Sequence, residues 1–211
     1  MASTFDFKKE YKNIYLPGTT PAMIDIPEMN YITVTGKGDP NQEDGEYQQA
    51  IGLLYAICYA IKMSKMGQNI PDGYFDYVMP PLEGFWWLAD YKPGFDYDSK
   101  EKFYWKAMIR QPDFVNEAVF HDACLNVQKK KGLNPQKACL ETITEGLCVQ
   151  CMHIGSYDDE AVTLAKIEQF IQKEKLQNNI SQTRHHHEIY LSDPRRTAPE
   201  KRKTILRVPV A

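Results

Sequence analysis

The sequence lacks a surplus of charge of either sign: 25 Lys and Arg stand against 28 Asp and Glu, a net charge of -3. This argues against a nucleic-acid or membrane-surface binder by bulk electrostatics. No apolar run approaches the roughly 20 residues a membrane span needs. The first ten residues carry Asp6, Lys8 and Lys9 where a secretory leader would be apolar, so a cytoplasmic protein is expected. Cysteines are few and odd in number: Cys58, Cys124, Cys139, Cys148 and Cys151. Reduced thiols are the natural reading. Cys148-x-x-Cys151 is a metal half-site without a second half, and ordinary buried thiols account for it. No GxSxG is present, and Gly36-Lys37-Gly38 lacks the rest of a phosphate loop. His185-His186-His187 sits in a strand-like segment. Adjacent strand residues face opposite ways, so the three do not easily ligate one ion. Neither a metal nor a cofactor is expected.

Aromatic residues, by contrast, are plentiful. Tyr, Phe and Trp make up 12% of the chain, with 13 Tyr and 3 Trp, enough to line a pocket as well as a core. A length of 211 residues allows one large domain or two small fused modules.

The pattern reads as α+β. After an irregular arm over residues 1–20, residues 22–36 are β-branched and strand-like, with Pro27 marking a bend or edge. Residues 46–66 place Tyr47, Ala50, Ile51, Leu54, Tyr55, Cys58 and Ile61 at helical spacing. Strands are expected over 74–90 and 101–111, on either side of a turn at 91–100. This is one strand–helix–strand–strand unit over about 22–112. A linking segment covers 113–140, helical over 113–131, with a further short helix expected at Asn134-Pro135. The order then repeats over about 141–211: strand 143–154, helix 159–176, strands 185–192 and 204–210. Trp87-Leu88-Ala89-Asp90 aligns with Tyr190-Leu191-Ser192-Asp193, and Met108-Ile109-Arg110-Gln111-Pro112 with Ile205-Leu206-Arg207-Val208-Pro209. A period of about one hundred residues suggests a tandem pseudo-twofold duplication around a central groove, not a solenoid. The basic stretch Arg195–Lys203 is interleaved with Pro and acidic residues and reads as a solvated loop.

Alternation along 185–191 puts His186, Glu188 and Tyr190 on one face, and His185, His187, Ile189 and Leu191 on the other. If helices cover the Ile189 face, Glu188 and Tyr190 point to the groove between the halves. The alignment of the halves adds Glu83, Phe85 and Trp87 to that face, with Trp105 from the neighbouring strand. A carboxylate there would be partly desolvated and its pKa would rise, fitting a general base or a cation seat. Alternation alone favours a solvent-facing strand glutamate, and the aromatic partners at the matching positions weigh against that reading.

The run His187-Glu188-Ile189-Tyr190-Leu191-Ser192-Asp193-Pro194, followed by Pro199-Glu200-Lys201 and Thr204–Pro209, resembles the end of the GyrI-like small-molecule-binding family. Gly155-Ser156-Tyr157-Asp158 is similar to its strand-to-helix turn. The resemblance covers roughly residues 20–211 and implies a single domain of two units around a ligand pocket. It implies that Glu188 is the buried glutamate which meets cationic aromatic drugs in the family's regulators. The DNA-binding helices of those regulators are missing, and the chain looks like the stand-alone members, some of them similar to enzymes that hydrolyse the cyclopropane of DNA-alkylating natural products. On that resemblance, Glu188 and Tyr190 are the expected catalytic pair, and Trp87, Trp105, Tyr55, Phe85, Glu83 and His186 the expected ligand-binding residues. The implied partner is a flat aromatic or cationic small molecule, with no nucleic acid and no membrane, bound by a monomer or homodimer. A non-catalytic binder or sensor is the alternative.

Overall fold

The computed structural model describes residues 4–67, 70–88 and 100–211. Six strands form one closed barrel: β1 (Ala22–Lys37), β2 (Leu82–Leu88), β3 (Phe103–Arg110), β4 (Ala138–Ile154), β5 (His186–Tyr190) and β6 (Lys203–Pro209). Around the barrel the order is β1-β3-β2-β5-β6-β4, and every pairing is antiparallel. With the helices α3 (Glu46–Lys62) and α5 (Glu160–Lys173), the order strand–helix–strand–strand occurs twice, as expected. Each unit pairs its first and second strands to its third. The long strands β1 and β4 join the units on one side, and the short strands β2 and β5 on the other. Pro27 has no N–H to give a ladder, and the pairing skips it between Ile26↔Gly146 and Glu28↔Thr144.

Some boundaries differ from expectation. The strand expected over 74–90 is regular only from Leu82 to Leu88, and β4 begins five residues earlier than the pattern suggested. Ala89, Asp90 and the turn at 91–99 lie outside the described residues. The arm is not irregular throughout: α1 (Phe7–Glu10) and α2 (Lys12–Tyr15) are single helical turns.

The barrel has a filled interior. Ile26, Met29, Tyr31, Phe85, Met108, Met152, Ile189 and Ile205 enter it from all six strands. Phe7, Ile14 and Tyr15 of the arm pack into the same cluster with Tyr77. Arg110 is buried against the Phe7 and Tyr11 rings, 4.9 and 4.2 Å from their centroids. The outer surface is covered by helices. The spacing of Tyr47, Ala50, Leu54, Ile57, Cys58 and Ile61 gives α3 one apolar face, which with α4 (Glu117–Lys131) covers Trp86, Trp105, Ala107 and Ile109. Helix α5 covers Val149, Cys151, Leu206 and Val208.

This arrangement corrects the expected assignment of faces. A barrel closed on itself must bury an inner as well as an outer face. Ile189 turns inward to the plugged interior, whereas Tyr190 packs outward against the α3 cluster. Among the described residues, no helix is long and apolar enough to cross a membrane.

Candidate functional site

Strand β5 and its neighbours set the site. The register Leu82↔Tyr190, Gly84↔Glu188 and Trp86↔His186 puts these six residues on the outer face, with Thr204 opposite Tyr190 on β6. Helix α3 approaches from one side and the first turn of α5 from the other, leaving Glu188 and Tyr190 half-buried between them.

The polar contacts form a chain. The Trp86 indole Nε1–H donates to Tyr190 Oη at 3.0 Å, and the Tyr190 hydroxyl donates to Glu188 Oε2 at 2.7 Å. The second Glu188 oxygen lies 3.3 Å from His186 Nε2. A hydroxyl-to-carboxylate bond this short is a charge-assisted one. Burial first, then the Glu188 carboxylate, pushes the Tyr190 phenol well above its ordinary range, so it stays a donor. Tyr157 meets the Tyr190 ring edge-on at 5.8 Å, and the Arg202 guanidinium covers Tyr157 at 5.3 Å.

The wall behind this chain is aromatic. Tyr47 packs on Trp86 at 5.2 Å and on Trp105 at 5.0 Å. Two glycines make room for it. A Cβ at Gly84 would come 2.9 Å from Trp86 Nε1, and one at Gly36 would come 2.4 Å from the Trp105 ring. Gly36 of the Gly36-Lys37-Gly38 run therefore serves packing. Trp105 is fully buried and supports Tyr47 rather than facing the opening. Tyr55, further along α3, is half-buried near Asp193 and Arg195 of the β5–β6 loop. A carboxyl that the sequence reading passed over completes the site. Glu160, the first residue of α5, is only 2% exposed; burial and then the neighbouring Glu188 raise its pKa well above the carboxylate range.

Glu83, Phe85 and Trp87 are elsewhere. In the register Glu83↔Ile189 and Phe85↔His187 they face the barrel interior, away from Glu188. The structure thus brings Glu188, Tyr190, His186, Trp105 and Tyr55 to one face and separates the other three expected residues from them. The cause is a phase error between the halves. With Ile109 matched to Leu206, the residue paired to Ile109 is Leu82 and the residue paired to Leu206 is Glu188. Leu82, not Phe85, is the counterpart of Glu188, and an odd slip moves every side chain to the other face. Trp86 escapes the sequence reading for this reason, whereas Tyr47 lies on α3, where helical spacing marks it as core only. The adjacent pair Trp86-Trp87 was the available signal, since one of the two had to share the Glu188 face.

The interior residues build a different structure. The Tyr15 hydroxyl donates to Glu83 Oε1 at 3.1 Å, and Glu83 Oε2 lies 3.1 Å from His187 Nε2. His187 Nδ1 is 3.0 Å from Glu145 Oε1, which also binds Arg207, and Arg207 Nε donates to Gln150 at 3.2 Å. Burial alone would push the Glu145 carboxyl up, but Arg207 and His187 outweigh it and hold it at about 2. This network links the arm to the barrel core. His185 stacks on Trp87 at 4.3 Å, so the three histidines diverge. Cys148 and Cys151 are both buried, and burial pushes the Cys148 thiol up to about 12.

Residues 19–211 match the model of a GyrI-like small molecule binding domain. A hydrolase from Listeria innocua is 47% identical, covering 99% of this chain and 100% of its own, with a TM-score of 0.90. An uncharacterized conserved protein from Listeria innocua is 49% identical over the same shares, with a TM-score of 0.93. The C-terminal domain of EcmrR shares the fold at 12% identity and a TM-score of 0.56, over 91% of this chain and 97% of that domain. No curated protein matches the chain.

Proposed function

This chain belongs to the GyrI-like family of small-molecule binding domains, and we propose that its groove binds flat aromatic molecules and hydrolyses a strained cyclopropane in them. In this reading Glu188 is the general base. It takes a proton from water as the water oxygen bonds to a cyclopropane carbon. The ring carbon–carbon bond breaks, and its electron pair passes through the conjugated system to a carbonyl oxygen, which is protonated. Substrate and one water give one ring-opened alcohol, and no redox partner is needed. Removing such alkylators would protect the cell.

The observation that carries the reading is the Glu188 carboxylate, held by the Tyr190 hydroxyl at 2.7 Å beside Trp86 and Tyr157. The aromatic groups supply stacking surface, and the carboxylate stands where water and ligand would meet. The likeness to a Listeria innocua hydrolase along the whole chain supports hydrolysis over binding alone. A second reading rests on the same residues. A carboxylate among aromatic rings is also a seat for a hydrophobic cation, held and released unchanged.

Incubation with an aromatic alkylator whose cyclopropane is conjugated to a carbonyl separates the two. Hydrolysis gives a product heavier by one water in the mass spectrum. Recovery of bound but unchanged molecule rejects hydrolysis and leaves the binder.

A further inference from the structure

We infer that Glu160 is the proton donor of this groove: a carboxyl that gives its proton to a carbonyl oxygen of the bound molecule while Glu188 receives one from water. The inference rests on the groove's proposed role and adds the group that role lacks. Tyr190 cannot readily serve, because its hydroxyl proton is already given to Glu188 and its oxygen accepts from Trp86.

Glu160 is placed unusually for the first residue of a helix. Such a side chain normally stays in solvent near the free N–H groups of the first turn. Here it is folded beneath α5 beside Thr204, the strand partner of Tyr190, and is buried. Glu160 Oε1, the Thr204 hydroxyl and, on the α3 side, the Tyr47 hydroxyl are buried without a well-formed hydrogen bond among the described residues, Thr204 being the group beside Glu160 and Tyr190 the group beside Tyr47. Buried polar atoms ordinarily have a partner, in the protein or in ordered water. Polar atoms held this loosely around one buried carboxyl are able to turn to a polar group of a bound molecule.

The surroundings of the two carboxyls are unequal. Glu188 is half-buried, accepts the Tyr190 hydroxyl and lies against His186. Glu160 is more deeply buried and faces Glu188 and Asp158, with the Tyr157 and Tyr190 phenols as its other titratable neighbours. Thr204 and the helix N-terminus favour its anion, but burial and the Glu188 charge prevail, and its pKa lies well above the ordinary value. A buried carboxyl beside a more exposed one suits the role of acid, and its neighbour that of base. The substrate class follows: an aromatic molecule bearing a carbonyl oxygen within reach of Glu160, conjugated to the bond that breaks. After turnover Glu188 holds the proton that Glu160 has lost, and exchange with solvent restores both.

The test compares wild type, Glu160→Gln, Glu160→Leu and Glu188→Gln by infrared spectroscopy at neutral pH, free and with the cyclopropane-bearing alkylator. A protonated-carboxyl band is expected in wild type and Glu188→Gln and not in either Glu160 variant. The alkylator's carbonyl band should move to lower frequency on binding wild type and stay in place in Glu160→Leu. Where wild type turns the alkylator over, Glu160→Gln should lower kcat by about 10² or more and remove the alkaline limb of the pH profile. A band that persists in Glu160→Gln, or an unmoved carbonyl in wild type, overturns the inference. A wild type that shows both infrared signatures yet returns the alkylator intact supports the donor and contradicts hydrolysis.

Discussion

Trp86 reaches Tyr190 by passing over Gly84, with its indole nitrogen 3.0 Å from the phenol oxygen and only 2.9 Å from where a Gly84 Cβ would stand. Gly84 is also the strand partner of Glu188. A residue without a side chain therefore lies under the hydrogen bonds that hold the candidate base. Gly84→Ala should displace the indole and free the Tyr190 oxygen. The expected cost is about 1–3 kcal/mol of stability, as for other overpacked sites, with a red-shifted Trp fluorescence and weaker alkylator binding. Unchanged fluorescence and affinity would show that the indole does not depend on that space.

Tyr190→Phe removes the donor to Glu188 and the acceptor for Trp86 together. A hydrogen bond to a charged group contributes about 1.5–3 kcal/mol, so kcat should fall about tenfold or more. The aromatic ring remains, and KM should change little. Steady-state kinetics reads the split; a rise in KM at constant kcat would make Tyr190 a binding residue only.

Arg207→Met leaves the Glu145 carboxylate buried without its guanidinium partner. Breaking such a pair costs about 3–5 kcal/mol, a large share of a domain's stability. Urea unfolding should show the loss. A change below 1 kcal/mol would mean that His187 and Gln150 hold the interior without Arg207.

The same interior sets a pH dependence. Burial lowers the His187 pKa, but Glu145 and Glu83 outweigh it and raise the value above the ordinary 6.5. A raised folded value stabilises fully below 6.5 and is lost as pH climbs through it. Glu145 runs the other way: its contribution is present above the ordinary 4.5 and disappears as pH falls through about 2. In Tm measurements across pH, His187→Gln should flatten the decline above neutrality. A decline identical to wild type would place its cause outside this histidine.

Much of this architecture can be read from residue patterns. The order of strands and helices follows from local periodicity, since α3 and α5 keep their apolar spacing and the strands their β-branched runs. The shared face of His186, Glu188 and Tyr190 follows from alternation and does not depend on anything distant. What periodicity cannot supply is closure. Whether Ile189 or Tyr190 faces a helix depends on β2 pairing with β5, a contact more than a hundred residues apart in sequence. Residue similarity matches Trp87 to Tyr190, whereas the ladders match Gly84 to it, and this shift of three turns Trp86 rather than Trp87 to the Glu188 face. Glu160 was invisible for another reason: a glutamate opening a helix looks like an ordinary solvent-facing residue, and only the fold of α5 over Thr204 buries it.

The central claim is that Glu188 activates water. Single-turnover kinetics of wild type and Glu188→Gln, both saturated with the cyclopropane-bearing alkylator, tests it most directly. The account predicts equal binding and a hydrolysis rate about 10²–10⁴-fold lower in the variant. Hydrolysis at the wild-type rate by Glu188→Gln would contradict it.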